Sequence, residues 1–398
     1  MKILLANKYY YSRGGDCIYT IELEGLLKEK GHDVAVFSMQ HQYNLRSYFS
    51  EYFPKEIDFN GSKMKDKLFA IMRPFGALDV RRKFNKLIKD FKPDIVHLNN
   101  IHSQLSPVLA EIAHKRGIPV IWTLHDYKLL CPRYDCLRDN KPCELCFKIK
   151  YNAVRYKCLK NNILASFLAY AEAKFWNKNK ISNSTDYFIC PSEFLLNKML
   201  QGGYNPEKLI SLHNFISDKK LAGDAYVNKE SFYCYVGRLS NEKGIETLLK
   251  AALELPQYDL KIIGTGLLEG ELKKKYQRQH IEFMGFKDWD EIKEILKASH
   301  FIVIPSEWYE NNPLSALESL CLGTPVIGAN IGGIPELIHH GTNGLLFKPG
   351  DIDDLKSKIS YLMEHSEDFN MTDIAEKSRI NFNSENYYKK LIHIYSSL

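Results

Sequence analysis

The chain opens on an apolar run, KILLAN, then enters CIYTIELEGLLKEKG, where apolar residues recur at helical spacing, and reaches a second short run, HDVAVFSM. Short apolar, β-branched runs bounded by turn residues predict buried strands, whereas an apolar residue every three or four positions predicts an amphipathic helix. The alternation continues through DIVHLNN, a helix from about Gln104 to Arg116, then IPVIWTLHD, and TDYFICPS followed by the helical EFLLNKML. From Ser231 the pattern starts afresh: SFYCYVGRL, DLKIIGTG, IEFMG, HFIVIPS and TPVIGAN read as strands, with helical segments such as DEIKEILKAS between them. Strands that alternate with helices predict βαβ units and parallel sheets. The expected class is therefore α/β, with two Rossmann-like, doubly wound domains facing across a cleft. The expected bounds are 1–215 and 216–380, with the polar stretch ISDKKLAGDAYVNK near the junction and a last helix within 381–398 as a candidate to return to the first domain.

With 398 residues the chain can build two full cores, and its 45% hydrophobic content is ordinary for a globular protein. No apolar run approaches the roughly 20 residues that span a bilayer. MKILLANKYYYSRGG reads as a first strand and loop and not as a signal peptide, so a cytoplasmic location is expected. The nine cysteines are then expected to be thiols or metal ligands more than disulfides. The net charge of +6 is unevenly spread, since Lys141–Lys180 holds nine Lys/Arg against Glu144 and Glu172. Such a basic segment fits an anionic lipid surface, phosphate or nucleic acid; a solvated helix surface is the plain alternative. Without an RNA-recognition or helix-turn-helix signature, no nucleic-acid partner is expected.

Ligands of doubly wound sheets bind beyond the carboxyl ends of the strands. After the first strand, Arg13-Gly14-Gly15-Asp16 opens a helix, where glycine lets backbone approach a ligand and the helix start favours negative charge. After SFYCYVG come Arg238 and, five residues on, Lys243, a cation pair suited to two phosphates. Gly264, Gly266 and Gly285 end two further strands. IPVIWTLHD delivers His125 and Asp126, which can hydrogen-bond a sugar or carry a proton. In SEWYENNPLSALESL, Asn312 reads as an N-cap and Pro313 as the first helical residue. The N–H groups of Leu314 and Ser315 could then hold a diphosphate, with Glu310 on hydroxyls beyond the helix end. Glu318 falls about 7 to 8 Å along the axis, at ribose distance. The ligand so described is a nucleotide-diphosphate sugar. Asp288-Trp289-Asp290 and Asp351-Ile352-Asp353 precede helical patterns and read as caps and first-turn acids, although the same triplets could serve a metal-dependent transferase.

In order along the chain, RGG, TLHD, GRLSNEKG, IIGTGLLEGEL, the E-x7-E pair Glu310/Glu318 and GGIPELIHHGTNGLLFKPGD resemble the family 4 glycosyltransferases, of GT-B fold. The resemblance covers nearly the whole chain. It implies retaining, metal-independent transfer of a sugar from a nucleotide donor, with no cofactor for catalysis. By it Glu310 and His125 contact the transferred sugar, Glu318 the ribose, and Arg238, Lys243 and Gly15 the diphosphate. One departure is Asn311-Asn312-Pro313, where many members carry Gly-Phe-Gly. The family's habit points to a glycan or polyprenyl-linked acceptor in cell-surface polysaccharide synthesis. A nucleotide-sugar epimerase, a phosphorylase and a donor-binding protein of the same architecture are the alternatives.

A basic insert, about 131–180, follows TLHD and resembles one found in a subgroup of the family. Leaving out Cys136, Cys131, Cys143, Cys146 and Cys158 have symmetric spacing around a C-x2-C knuckle, which suits structural zinc; reduced buried thiols are the competing reading. The apolar face that follows, Ile163 to Trp176, is expected to be core, with peripheral association at an anionic inner membrane face as the alternative.

Overall fold

The computed structural model describes residues 1–58, 70–221 and 229–398. The chain divides into two compact units. The N-terminal unit comprises Met1–Cys136, Cys143–Leu212 and Tyr388–Leu398, and the C-terminal unit Leu137–Pro142 and His213–Tyr387.

The N-terminal unit is built on β1 (Lys2–Ala6), β2 (Asp33–Phe37), β3 (Ile95–Leu98) and β4 (Val120–Thr123). A two-stranded hairpin, β5 (Leu137–Arg138) and β6 (Lys141–Pro142), interrupts the series before β7 (Tyr187–Cys190) and β8 (Leu209–Ser211). The main sheet runs β2-β1-β3-β4-β7-β8 and its pairings are parallel. Its strands are apolar on both faces because helices cover both, as parallel sheets require. The helix Gly15–Glu29 buries Leu23, Leu26 and Leu27, and Leu78–Phe91 buries Val80, Phe84, Leu87 and Ile88. Full burial of such a side chain contributes about 1.5–3 kcal/mol. In the final helix, Ser384–Ser396, Tyr395 reaches the buried His97, whose ring also contacts Thr123 Oγ1 at 2.7 Å.

The C-terminal unit repeats the plan with β9 (Phe232–Val236), β10 (Asp259–Ile263), β11 (Ile281–Gly285), β12 (Ile302–Ile304), β13 (Val326–Ala329) and β14 (Gly344–Phe347). The order is β11-β10-β9-β12-β13-β14. Each sheet therefore has one point where consecutive connections change direction, between β1 and β3 and between β9 and β12, which is where doubly wound sheets bind ligands beyond the strand ends.

Every strand named from the apolar pattern is present. The short β8 and β14 were not anticipated. The helix expected over 104–116 is confined to Val108–His114, because Ser103 and Ser106 take positive φ and Pro107 caps the start. Of the junction stretch, Asp218–Leu221 is helical, and 222–228 lie outside the described residues.

Candidate functional site

At the switch point of the C-terminal unit, Glu310 follows β12 and is buried. Its Oε1 accepts from Lys243 Nζ at 2.6 Å, Ser306 Oγ at 2.7 Å and Trp308 Nε1 at 2.8 Å. Burial alone would raise its pKa, but the Lys243 charge and these donors outweigh it and hold the carboxyl below its usual range. Two glycines make the close packing possible. Gly244 has φ +64°, and a Cβ there would lie 1.8 Å from Pro305 O; Gly332 has the same φ, and its Cβ would lie 2.4 Å from Glu310 O. Gly333 N then donates to that carbonyl at 2.7 Å.

The next helix is Leu314–Cys321, with Pro313 at the N-cap and no side-chain cap. This corrects the expected start by one residue. Asn312 does not cap, because its Oδ1 accepts from Asn214 N at 3.0 Å while Asn214 Nδ2 donates to Asn312 O at 3.2 Å. Ala316 is the first residue whose amide bonds back, to Pro313 O. Leu314 and Ser315 precede it, at the positions where helix amides lack intrahelical acceptors. Glu318 is buried in the same helix and paired with Lys220 Nζ at 2.8 Å.

Arg238 leaves β9 into solvent with its side chain 63% exposed, and its contact with Glu242 is a loose 3.4 Å. Lys243 and Glu310 are thus brought together, whereas Arg238 remains available. Gly266 backs onto Leu239, where a Cβ would meet the carbonyl at 2.3 Å, and Gly285 (φ +70°) faces open space. Sequence reasoning missed Ser306, Trp308 and Lys220. The first two stand within four residues of Glu310 in a strand-end loop, a signal that was available. Both Asp-x-Asp triplets are engaged as caps: Asp288 forms a capping box with Glu291, and Asp351 accepts from Asp354 N.

At the switch point of the N-terminal unit, Gly14 is the extended N-cap of the helix begun by Gly15. His125 Nε2 lies 3.0 Å from Asn99 Oδ1, and Tyr19 meets the ring edge-on at 4.9 Å. A carboxamide oxygen only accepts, so Nε2 carries the proton and Nδ1 is left as an acceptor. Burial pushes His125 down to about 4, with Asp16 opposing and Lys8 assisting. Asp126 is raised by burial, against the pull of Lys8 and Lys128, and its Oδ1 accepts from Lys128 N at 2.9 Å. His102 Nε2 stands 4.0 Å from that oxygen and is pushed well below its usual range, again chiefly by burial. The histidines are therefore neutral at neutral pH. Lys8, Asn99 and His102 were missed, although Lys8 and Asn99 stand within two residues of the ends of β1 and β3.

In the insert, Cys131 contacts Cys136 and Cys146, and Cys158 lies near Cys146. The β5–β6 hairpin joins Cys136 to Cys143 through the backbone, with Cys143 N donating to Cys136 O at 2.6 Å. Cys136, omitted from the expected set, is thus part of the cluster. Among the described residues no group of three or more His, Cys, Asp or Glu side chains could hold a metal ion. Of the set expected to hold structural zinc, Cys131, Cys146 and Cys158 lie in this cluster, and Cys143 is tied to it through Cys136. The helix Ile163–Phe175 also departs from expectation. It buries Ser166, Ala169 and Glu172 and leaves Ile163, Leu164, Phe167 and Phe175 exposed. Among the described residues no helix is long and apolar enough to cross a membrane.

Residues 13–220 match the model for Glycosyltransferase Family 4, and residues 218–379 that for Glycosyl transferases group 1. An uncharacterized glycosyltransferase of Methanocaldococcus jannaschii is 24% identical over 92% of this chain and 90% of its own. The UDP-Gal:alpha-D-GlcNAc-diphosphoundecaprenol alpha-1,3-galactosyltransferase of Escherichia coli is 28% identical over 67% of this chain and 66% of its own. Among solved structures, sucrose-phosphate synthase from Thermosynechococcus elongatus superposes with TM-score 0.72 at 18% identity, covering 100% of this chain and 98% of that one. Anabaena HepE, in complex with UDP-glucose, superposes with TM-score 0.68 at 17% identity, covering 100% of both chains. These likenesses show the fold, GT-B.

Proposed function

The chain belongs to glycosyltransferase family 4, and from that premise we propose that it transfers a sugar, with retention of configuration, from a nucleotide-diphosphate sugar to a glycan or lipid-linked glycan acceptor. The observation that carries the donor half is the Lys243–Glu310 pair beside the open start of the helix Leu314–Cys321. A buried carboxylate held ionised is an acceptor for sugar hydroxyls, and the amides of Leu314 and Ser315 with Arg238 supply donors for a diphosphate. Glu318, fixed by Lys220, is the candidate for the ribose. HepE, which shares the fold, is seen with UDP-glucose, and this favours the same ligand class here.

In the proposed reaction the bond from the anomeric carbon to the diphosphate oxygen breaks, and its electron pair stays with the diphosphate. The acceptor hydroxyl forms the new bond from the same face and passes its proton to the departing diphosphate oxygen. Fixed donors on the departing diphosphate each contribute a few kcal/mol of stabilisation. Neutral His125 offers Nδ1 to a sugar hydroxyl. Arg238 and Lys243 provide the positive charge, and the Asp-x-Asp acids are committed to helix ends, so the reading is metal-independent.

The exposed Ile163, Leu164 and Phe167, beside the lysines of the insert, support an acceptor presented at an anionic membrane surface. Failure to sediment with anionic vesicles at low salt would remove that part. The donor half is tested by thermal shift with UDP-, GDP-, ADP- and dTDP-sugars. At 100 times its dissociation constant a ligand adds about 2.7 kcal/mol of stability. One nucleotide should raise Tm in the native chain and much less in Arg238→Ala. No shift with any donor would overturn the reading of the C-terminal site.

A further inference from the structure

The N-terminal unit holds a cavity of about 230 Å³, bordered by the basic insert, the helices Ile163–Phe175 and Lys178–Asn183, and the loop at Gly202. Its wall carries Lys128, Lys148, Lys150 and Lys178 against one carboxylate, Glu172. Two of these lysines are occupied within the fold. Lys128 Nζ sits 2.9 Å from Glu172 Oε2 and donates to Pro132 O at 2.7 Å. Lys150 Nζ donates to the carbonyls of Leu129 and Leu130. Lys148 and Lys178 are exposed, and neither has an ion-pair partner among the described residues.

Glu172 is 5% exposed, and its Oε1 has no hydrogen-bond partner among the described residues. Buried carboxylate oxygens are rarely left without a donor, because the lost hydration is costly. Trp176 and Tyr204, both buried, add ring surface to the wall. The wall thus combines two free ammonium groups, one carboxylate oxygen in need of a donor, and aromatic surface. A bare anion would satisfy the lysines but bring negative charge towards Glu172. A neutral sugar would satisfy Glu172 and leave the lysines unused.

We propose that this cavity binds a phosphorylated sugar, with its phosphate on Lys148 and Lys178 and a hydroxyl donating to Glu172 Oε1. His102, also in the wall, stands 4.0 Å from Asp126, and the amide of Lys128 bonds Asp126. The cavity is therefore connected to the end of β4 through two of its own lining residues. That the bound molecule is the acceptor, free or joined through its phosphate to a lipid, rests on the transferase reading above; the site itself does not.

Calorimetry on the full chain tests it, with glucose 1-phosphate and N-acetylglucosamine 1-phosphate as probes and glucose, N-acetylglucosamine and inorganic phosphate as controls. At least one sugar phosphate should bind tenfold or more tightly than its parent sugar or phosphate alone. The Lys148→Ala/Lys178→Ala variant, altered only at exposed positions, should lose at least tenfold of that affinity, and Glu172→Gln should weaken it as well. Phosphate binding as tightly as the sugar phosphates would reduce the site to an anion patch and overturn the proposal. So would phosphatidylglycerol vesicles being bound through these lysines while both sugar phosphates are ignored. A chain that answers a nucleotide sugar in the thermal-shift assay yet ignores the sugar phosphates sinks this inference alone; silence towards both sinks the donor reading too.

Discussion

Beyond β12, Glu310 collects an ammonium, a hydroxyl and an indole N–H, and its pKa falls despite burial. Beyond β3 and β4, in the same kind of sheet, His102 and His125 are kept neutral by burial and Asp126 is pushed towards protonation. Asp16 Oδ2 and Glu172 Oε1, in that unit, are buried without partners among the described residues. One unit fixes the charge at its site before any ligand arrives, although Asn311 Oδ1 there is also buried without a partner among the described residues. The other holds its histidines neutral and Asp126 towards protonation. A diphosphate donor carries the same charge whatever sugar it bears, so a preset electrostatic site suits it. The reacting end of an acceptor is a hydroxyl, for which the neutral donors and acceptors beyond β3 and β4 are the better match.

The comparison breaks most readily at Lys243. Lys243→Ala would leave Glu310 as a buried carboxylate facing only neutral donors, and loss of one partner from such a pair costs about 3–5 kcal/mol. Urea unfolding should show that loss, with the nucleotide-sugar thermal shift gone. Lys243→Ala/Glu310→Gln should recover most of the stability without the thermal shift, because the charge is removed rather than stranded. A single variant within about 1 kcal/mol of the native chain would mean that Glu310 is not held as described.

The strands were readable because fully covered parallel strands are written as continuous apolar runs. That put Lys243, Arg238, His125 and Glu310 at strand ends from the sequence. Their partners were less legible. Lys243 and Glu310 are 67 positions apart, and whether they meet depends on β12 lying beside β9 and not at an edge. Asn312 has good N-cap chemistry, but its carboxamide is taken by Asn214, 98 residues away. Local propensity lost there to a tertiary bond. The cysteine spacing was symmetric around a knuckle, yet Cys136 joins the cluster through Cys131, and the hairpin returns the chain so that Cys143 bonds Cys136. In the helix Ile163–Phe175, pattern alone assigned the bulky residues to the core, whereas the small face of Ser166 and Ala169 is buried instead.

A smaller effect sharpens the same comparison from the N-terminal side. His125 titrates near 6.5 when unfolded and is depressed to about 4 when folded. Between these values the unfolded chain binds more protons, so the stability contributed is complete above pH 6.5 and is lost as pH falls towards 4. From pH 7 to pH 4.5 this amounts to about 2 kcal/mol. His97, lowered to about 3, and His102 act in the same direction. Asp126 acts in the opposite one, because a raised carboxyl pKa favours the folded state as pH falls. The total slope therefore mixes signs, and the difference between the native chain and His125→Gln isolates the histidine. Urea unfolding at pH 7 and pH 4.5 should show the native chain losing about 2 kcal/mol more than the variant. Equal losses would mean that His125 protonates freely in the folded state, and the contrast between a unit with fixed charges and one with neutral groups would then fail at its central residue.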